Sequence, residues 1–432
     1  MATRVLLLTQ WFDPEPTFKG LVMARELVRQ GFEVEVVTGF PNYPRGVPYP
    51  GYKVKWLQRE MIDGVMVTRV PLYPSHDRSA VRRVLNYLSF AASALVYVLF
   101  GARRPQVIYA YHPPLTVGIT AALVRLFRRV PVVYDIQDMW PDTLRATGML
   151  SNLGALNAIA GVCRWVYRRV DHIVVLSPGF KRLLIERGVP ESKIDVIYNW
   201  CDEAALSGPV GHVPDGFPDQ SKFRIVFAGN MGKAQALDAV LEAARLLQSS
   251  APRIHFVLLG DGVELERLKR VASENGLANV SFLPQVPMAE VGTVLQEADA
   301  LLVHLRKDPL FEITIPSKTQ AYMAIGRPIL MAVSGDAAVL VRDSRCGVLA
   351  EPETPASLAE AAMALSRSDA ATRTQMSESG RRYYQQHLSL HVGVARFGQI
   401  FDRLCGDRRD STRLNRIPGA TAAATGGLLK RS

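Results

Sequence analysis

At 432 residues, 48% apolar and 21% charged, the chain is long enough for two or three domains with large cores, and its composition excludes global disorder. The net charge of +11 calls for an acidic partner, which leaves nucleic acid, an anionic membrane surface or a phosphorylated substrate. The four cysteines, Cys163, Cys201, Cys346 and Cys405, stand far apart with no Cys-x-x-Cys and no paired His, so neither a zinc site nor a disulfide framework is indicated and a reducing cytoplasm fits best.

The first predicted element is a strand, Val5 to Thr9, with no charged leader and cleavage site before it, so no secretory signal is expected. A long loop, Gln10 to Gly20, leads into a helix from Leu21 to Arg29, and Gly31 stops that helix before a strand from Glu33 to Thr38. This is a βαβ unit whose first loop is too elaborate for a plain connection, and such a loop lies at the carboxyl edge of a parallel sheet, where ligands bind. The stretch from Val84 to Gly101 is uncharged and as long as a minimal transmembrane helix. Arg82-Arg83 and Arg103-Arg104 flank it on both sides, so it is expected to pack on the first domain with part of its surface in a membrane interface, against the alternatives of a buried core helix or a true span. Arginines beside apolar and aromatic residues, in Leu123 to Arg129 and Cys163 to Arg169, suit a membrane interface better than a nucleic-acid groove, although snorkelling arginines around a buried helix read the same way.

Strand and helix alternation then continues through Val107–Tyr111, Leu115–Phe127, Val130–Asp135, His172–Leu176, a helix begun by Ser177-Pro178, and Ile194–Ile197. Gly and Pro crowd residues 201–222, which read as a linker between an acceptor-side domain, 1–200, and a second α/β domain, 223–385. The fold class is therefore α/β, with two Rossmann-like domains facing across a cleft. A helix at 386–405 is a candidate to cross back to the first domain, and 406–432, rich in Arg, Ala, Gly and Thr, is expected to be a disordered tail.

The turn Gly229-Asn-Met-Gly-Lys-Ala-Gln235 reads either as an ordinary βα connection or as a diphosphate cradle, with Gly229 and Gly232 giving tight geometry and Lys233 and the amides opening a helix near Asp238 facing an anion. Three further loops follow strands of the same domain: Gly260-Asp261-Gly262, the stretch around Gln285 and Val286, and Glu312 to Gln320, where Ser317, Lys318 and Thr319 open a helix. A hydroxyl, a cation and free amides at one helix start are what a diphosphate needs, and a cap beside a surface lysine is the plain alternative. In the first domain, His112 and Asp138 follow strands, as does Asp142 after Pro141. No Walker loop, Gly-x-Ser-x-Gly or Gly-x-Gly-x-x-Gly after the first strand is present, which argues against P-loop NTPase, serine hydrolase and conventional NAD enzyme readings.

Pro14-Glu15, Gly20, Thr38 to Pro44, Asp135 to Pro141, Asn199 to Asp202, Gly229 to Gln235, Gly260 to Gly262 and Pro316 to Thr319 occur in an order that resembles family 4 retaining glycosyltransferases of the GT-B fold. Within that family the chain resembles bacterial N-acetyl-L-fucosamine transferases of capsule, O-antigen and colanic acid assembly. The resemblance implies a UDP-sugar as donor substrate, with no cofactor and no metal, and a polyprenyl-diphosphate-linked glycan as acceptor. It also implies peripheral attachment to the cytoplasmic face of the cell membrane and no nucleic-acid partner. Gly20, Gly229, Asn230, Gly232, Lys233, Gln235, Asp261, Ser317, Lys318 and Thr319 would then surround the donor phosphates, the loop at Gln285 and Val286 the base, and Asp138 with His112 the reacting sugar. The family's paired glutamates are not intact, so Glu312 and Gln320 are carried as candidates for the ribose. An epimerase acting on UDP-N-acetylglucosamine is the rival on the same fold; it needs cleft carboxylates but no membrane surface.

Overall fold

The computed structural model describes residues 2–75, 80–146, 148–206 and 213–414. The first sheet has eight strands: β1 (Arg4–Leu8), β2 (Glu33–Gly39), β3 (Gln58–Ile62), β4 (Val65–Val70), β5 (Val107–Tyr111), β6 (Val132–Ile136), β7 (His172–Val175) and β8 (Ile194–Val196). Their spatial order is β3-β4-β2-β1-β5-β6-β7-β8, all parallel except the edge strand β3, which pairs antiparallel with β4. The second sheet has six: β9 (Phe223–Ala228), β10 (Ile254–Leu259), β11 (Val280–Leu283), β12 (Ala300–His304), β13 (Ile329–Ala332) and β14 (Gly347–Leu349). Their order β11-β10-β9-β12-β13-β14 is that of a doubly wound dinucleotide fold, with the reversal between β9 and β12; in the first sheet the reversal falls between β1 and β5. Loops leaving neighbouring strands on either side of a reversal diverge and open a crevice at the carboxyl edge. The loops carrying Gly20 and His112 follow β1 and β5, and the turn at Gly229 follows β9.

Near-continuous Val, Ile and Leu in β1, β5, β10 and β12 fit strands covered on both faces, and every residue of β5, β10 and β12 is buried. One face of the first sheet is covered by helices Ala80–Val96, Leu115–Arg128 and Leu153–Arg169, packed side by side. The opposite face is covered by the helix Leu21–Arg29 and by the final helix Leu390–Leu414, which crosses from the second sheet. Phe397 and Phe401 of that returning helix are fully buried, and both meet Tyr109 of β5 edge-on. The helix runs through residues 406–414, where the sequence suggests a disordered tail; residues 415–432 of that expected tail lie outside the described residues. Residues 207–212 of the expected linker also lie outside them.

Beyond β9 and β10 the ladder continues into the two glycine turns. Gly229 donates its N–H to the Leu259 carbonyl, and Met231 donates to Asp261. Gly260 has φ +140°, and a Cβ there would lie 2.1 Å from the Gly229 carbonyl oxygen; at Gly262 it would lie 2.4 Å from the Met231 oxygen. Both positions therefore exclude any side chain, because rigid backbone occupies the space.

Two stability predictions follow from this packing. Phe401→Ala should cost roughly 3 kcal/mol in urea unfolding, since the aromatic fills the core between sheet and returning helix; a change within about 0.5 kcal/mol would mean that the helix is not integral to the first domain. Gly260→Ala should cost about 2–3 kcal/mol through the clash and the strained backbone, and an unchanged urea midpoint would refute the interlocked turns.

Candidate active site

The second-domain side of the cleft is built around Lys318. The helix Ser317–Ile325 begins directly after Pro316, so the amides of Ser317 and Lys318 precede its first internal hydrogen bonds, while Thr319 already donates to the Pro316 carbonyl. The Lys318 ammonium sits 3.5 Å from the centroid of the Phe227 ring and 3.3 Å from the point a Gly229 side chain would occupy. Among the described residues no carboxylate pairs with it. Burial holds its pKa down at about 7, because desolvation penalises the ammonium and no opposing charge restores it. A partly buried cation over a π face, above a glycine turn and at a helix start, has the chemistry to receive an anionic group.

The other predicted donor residues divide into two groups. Asn230, Lys233, Asp261, Gln285, Glu312 and Ser317 present exposed side chains at the carboxyl edge of this sheet, and Gly229 is exposed beside them. Val286 is half-buried against the second-domain core. Asp261 is partly occupied, since one carboxylate oxygen accepts from the Gly262 amide at 2.7 Å.

Three predicted ligands are instead engaged inside the protein. The Gln235 side chain accepts from the Gly232 N–H at 3.0 Å and closes the turn Lys233–Gln235, so it organises the loop instead of facing a ligand. Gln320 is buried and its amide donates back to the Pro316 and Ser317 carbonyls, which removes it as a ribose contact. Thr319 is fully buried, with no partner for its hydroxyl. The amides expected to be free near Asp238 are also consumed. Ala239 and Val240 donate to Ala236 and Leu237, and the Asp238 carboxylate is held by Arg267 through two contacts of 2.7 Å. The helix start with amides left open in the cleft is that of Ser317, not that of Asp238.

On the first-domain side, His112 is 1% exposed, with its ring edge-on to Tyr134 and Trp140 and its Nδ1 buried without a partner. Burial pushes its pKa down to about 3, so the imidazole is neutral. Asp138 is half-buried, and desolvation raises its pKa above the usual carboxylate range. Gly20 precedes the helix Leu21–Arg29, and a Cβ there would come within 2.2 Å of the Asp13 carboxylate that accepts the Leu21 N–H. Its small size is therefore required by packing within its own loop.

Several residues that hold these loops are not among the sequence candidates. Lys19 is fully buried and its ammonium is 2.6 Å from Asp135, which also accepts from the Tyr109 hydroxyl. Lys19 also lies over the rings of Trp200 and Phe397. Gln137 bridges Asp135 to Asn199, at the exit from the first domain. Glu15 is buried and accepts from the amides of Phe12, Asn42 and Tyr43, clamping the loops that follow β1 and β2. The adjacency of Lys19 to Gly20 and of Glu15 to Pro14 is visible in the sequence, but burial is not.

The two halves meet through a short seam. The turn Pro309–Glu312 packs on the helix Asp142–Ala146, and Leu310 and Ile313 reach the first-domain core. Ser177 donates its hydroxyl to the Ile313 carbonyl, and Asp336 accepts from the Gly179 amide and pairs with Arg182 at 2.9 Å. Glu312 is thereby placed on the same seam as the Asp138–Asp142 loop.

Residues 21–200 match the model of a glycosyl transferase 4-like domain, and residues 214–383 that of glycosyl transferases group 1. The putative colanic acid biosynthesis glycosyl transferase WcaI of Escherichia coli is 29% identical over 334 residues, 73% of this chain and 79% of its own length. The probable glycosyltransferase WbjE of Pseudomonas aeruginosa is 25% identical over 305 residues, 68% and 74% of the two chains. Sucrose-phosphate synthase of Thermosynechococcus elongatus superposes with a TM-score of 0.71 at 16% identity, covering 94% of this chain and all of its own. HepE of Anabaena, solved in complex with UDP, gives 0.65 at 15% identity over 93% of this chain and all of its own. With a 4-like domain followed by a group 1 domain on two facing Rossmann-like sheets, the chain is a glycosyltransferase of the group 1 type with the GT-B fold.

Proposed function

We propose that the protein transfers an N-acetylated sugar from a UDP-sugar to a polyprenyl-diphosphate-linked glycan, with retention of configuration, at the cytoplasmic face of the membrane during surface polysaccharide assembly. The observation that carries the reading is Lys318, a desolvated cation without a carboxylate, set over Phe227 and Gly229 at a helix start. HepE, a structural neighbour, is solved with UDP and with UDP-glucose, and WcaI is named for colanic acid biosynthesis; both support a nucleotide donor and a polysaccharide role.

As the bond between anomeric carbon and phosphate oxygen breaks, charge builds on the departing diphosphate. Lys318, the amides of Ser317 and Lys318, and the Gly229–Asn230 turn hold that charge in this reading, without a metal. Because they are fixed beforehand, they stabilise the transition state more than the ground state. Lys233 contributes from the exposed rim, Asp261 flanks the cradle, Glu312 reaches the ribose and the loop at Gln285 and Val286 takes the base. His112, neutral at ordinary pH, hydrogen-bonds a sugar hydroxyl, and Asp138 faces the positive charge developing at the anomeric carbon. The acceptor hydroxyl then attacks from the side the diphosphate leaves.

UDP titrated calorimetrically should bind the wild type, and no binding would sink the donor assignment. Lys318→Ala should lower kcat/KM by about 2 kcal/mol of transition-state stabilisation; wild-type turnover would remove the lysine from the diphosphate. The pH dependence has a fixed sign. Lys318 loses its proton as pH rises through about 7, whereas arginine stays charged. The ratio of UDP affinity, wild type over Lys318→Arg, should therefore fall between about pH 6 and pH 9. A flat ratio would show that the ammonium does not meet the phosphates.

A further inference from the structure

The helix Ala80–Val96 and its π-helical continuation Tyr97–Gly101 carry two apolar faces. The inner one, Phe90, Ala94, Tyr97 and Val98, packs into the first-domain core. The outer one, Val81, Val84, Leu85, Leu88, Val96 and Phe100, recurs at helical spacing and stands in solvent, with Phe100 84% exposed. A helix buried in a soluble core needs one such stripe; the second has no partner among the described residues.

This outer stripe continues onto the next helix. Arg128, near the end of the helix Leu115–Arg128, donates to the carbonyls of Val98 and Ala102, which brings Leu126 and Phe127, 49% and 66% exposed, beside the turn that bears Phe100. The charge carried by these helices has one sign. Between Ala80 and Tyr134 the sequence has seven arginines and no Asp or Glu, and between Thr143 and Val170 four arginines and no Asp or Glu. Arg103, Arg104 and Arg129 are exposed around Phe100 and Phe127, and Arg164, Arg168 and Arg169 are exposed on the adjoining helix Leu153–Arg169. Some of this charge is paired, Arg103 with Glu33 and Arg125 with Asp171, but the excess is large.

From this juxtaposition we infer that the three-helix face of the first domain docks on an anionic lipid bilayer, the outer stripe and the Leu126–Phe127 corner entering the interface and the arginines meeting lipid phosphates. The bilayer fits better than an acidic protein because the apolar row runs the length of the helix in one plane, as an interfacial helix requires, while the cations border it. Spanning is incompatible with the sheet. By length and composition the stretch Val81–Gly101 would suffice, but β1 precedes it and β5 follows it, and these two strands pair residue for residue. A single span would put them on opposite sides.

The docked orientation has a consequence for the cleft. Asn86, on the first turns of the helix, donates to the Tyr73 carbonyl, accepts from Gln10 and reaches Asn42, which ties this end of the helix to the loops after β1 and β2. The end of the helix bearing Val84, Leu85 and Leu88 therefore lies at the cleft mouth. A lipid-borne acceptor enters there without leaving the bilayer; this last step rests on the sugar-transfer reading, while the docking itself does not.

The test is co-sedimentation of the whole chain with vesicles of phosphatidylcholine alone and with added phosphatidylglycerol. Partition should be at least about tenfold stronger on the anionic vesicles, and Phe100→Ser combined with Phe127→Ser should reduce it about tenfold. Equal partition on the two vesicle types, an unaffected double variant, or retention of the chain in membrane pellets after alkaline carbonate would overturn the inference. Both phenylalanines are exposed, so the double variant should keep the wild-type circular dichroism and UDP affinity. Anionic vesicle binding by a protein that fails to bind UDP would support the docking while defeating the donor assignment.

Discussion

An ammonium and a carboxylate with no access to water, Lys19 and Asp135, sit where four separate parts of the first domain converge. Lys19 comes from the long loop after β1, Asp135 from β6, Trp200 from the exit toward the second domain, and Phe397 from the returning helix. Burial alone draws the Lys19 pKa down, and the Asp135 charge opposes it. Neither ion tolerates loss of the other, because an unpaired charge in such a site costs several kcal/mol. The pair therefore fixes the loop that ends at Gly20, and the Asp135–Gln137–Asn199 bonds pass the same constraint to the chain leaving the domain. The cleft's first-domain wall inherits its shape from a contact that touches no ligand.

The second domain uses the opposite arrangement. Its glycine turns are rigid because backbone meets backbone, Gly260 against Gly229 and Gly262 against Met231, and over that floor stands a cation with no counter-ion among the described residues. The contrast between Lys19 and Lys318 separates structural from functional charge. Both are desolvated, but among the described residues a carboxylate meets Lys19 and none meets Lys318. The Lys318 ammonium is left open to an anion, whereas Asp135 already neutralises that of Lys19.

Most strands and helices were legible because a parallel sheet covered on both faces writes itself as short apolar runs separated by amphipathic helices. The edge hairpin of β3 and β4 was not assigned, although Asp63-Gly64 between two alternating runs is a hairpin signal, and Asp63 and Gly64 both have positive φ. Lys318, Ser317 and the glycine turns were legible through their position after strands. The roles of Gln235 and Gln320 were not, since a sequence shows which polar groups lie near a site but not which are already satisfied. Both amides close the turns on which they sit. Lys19 was illegible for a related reason, because a lysine in a polar loop reads as solvated unless its carboxylate, 116 residues away, is known to be beside it.

The seam between the domains is held differently from either core. Among the described residues its polar contacts are few: the Ser177 hydroxyl on the Ile313 carbonyl, the Asp336 carboxylate on the Gly179 amide, the Arg182 pair, and the Arg306 guanidinium on the Ala146 carbonyl. Asp336 accepts from the first turn of the helix Pro178–Glu186, so a carboxylate of the second domain satisfies a helix start of the first. When the domains part, water can satisfy each of these groups, so separation leaves no buried charge stranded. The returning helix, anchored by Phe397 and Phe401 in the first-domain core, is a second tie between the halves. Strong burial within each domain and replaceable polar contacts between them make the seam, not either core, the joint that costs least to loosen.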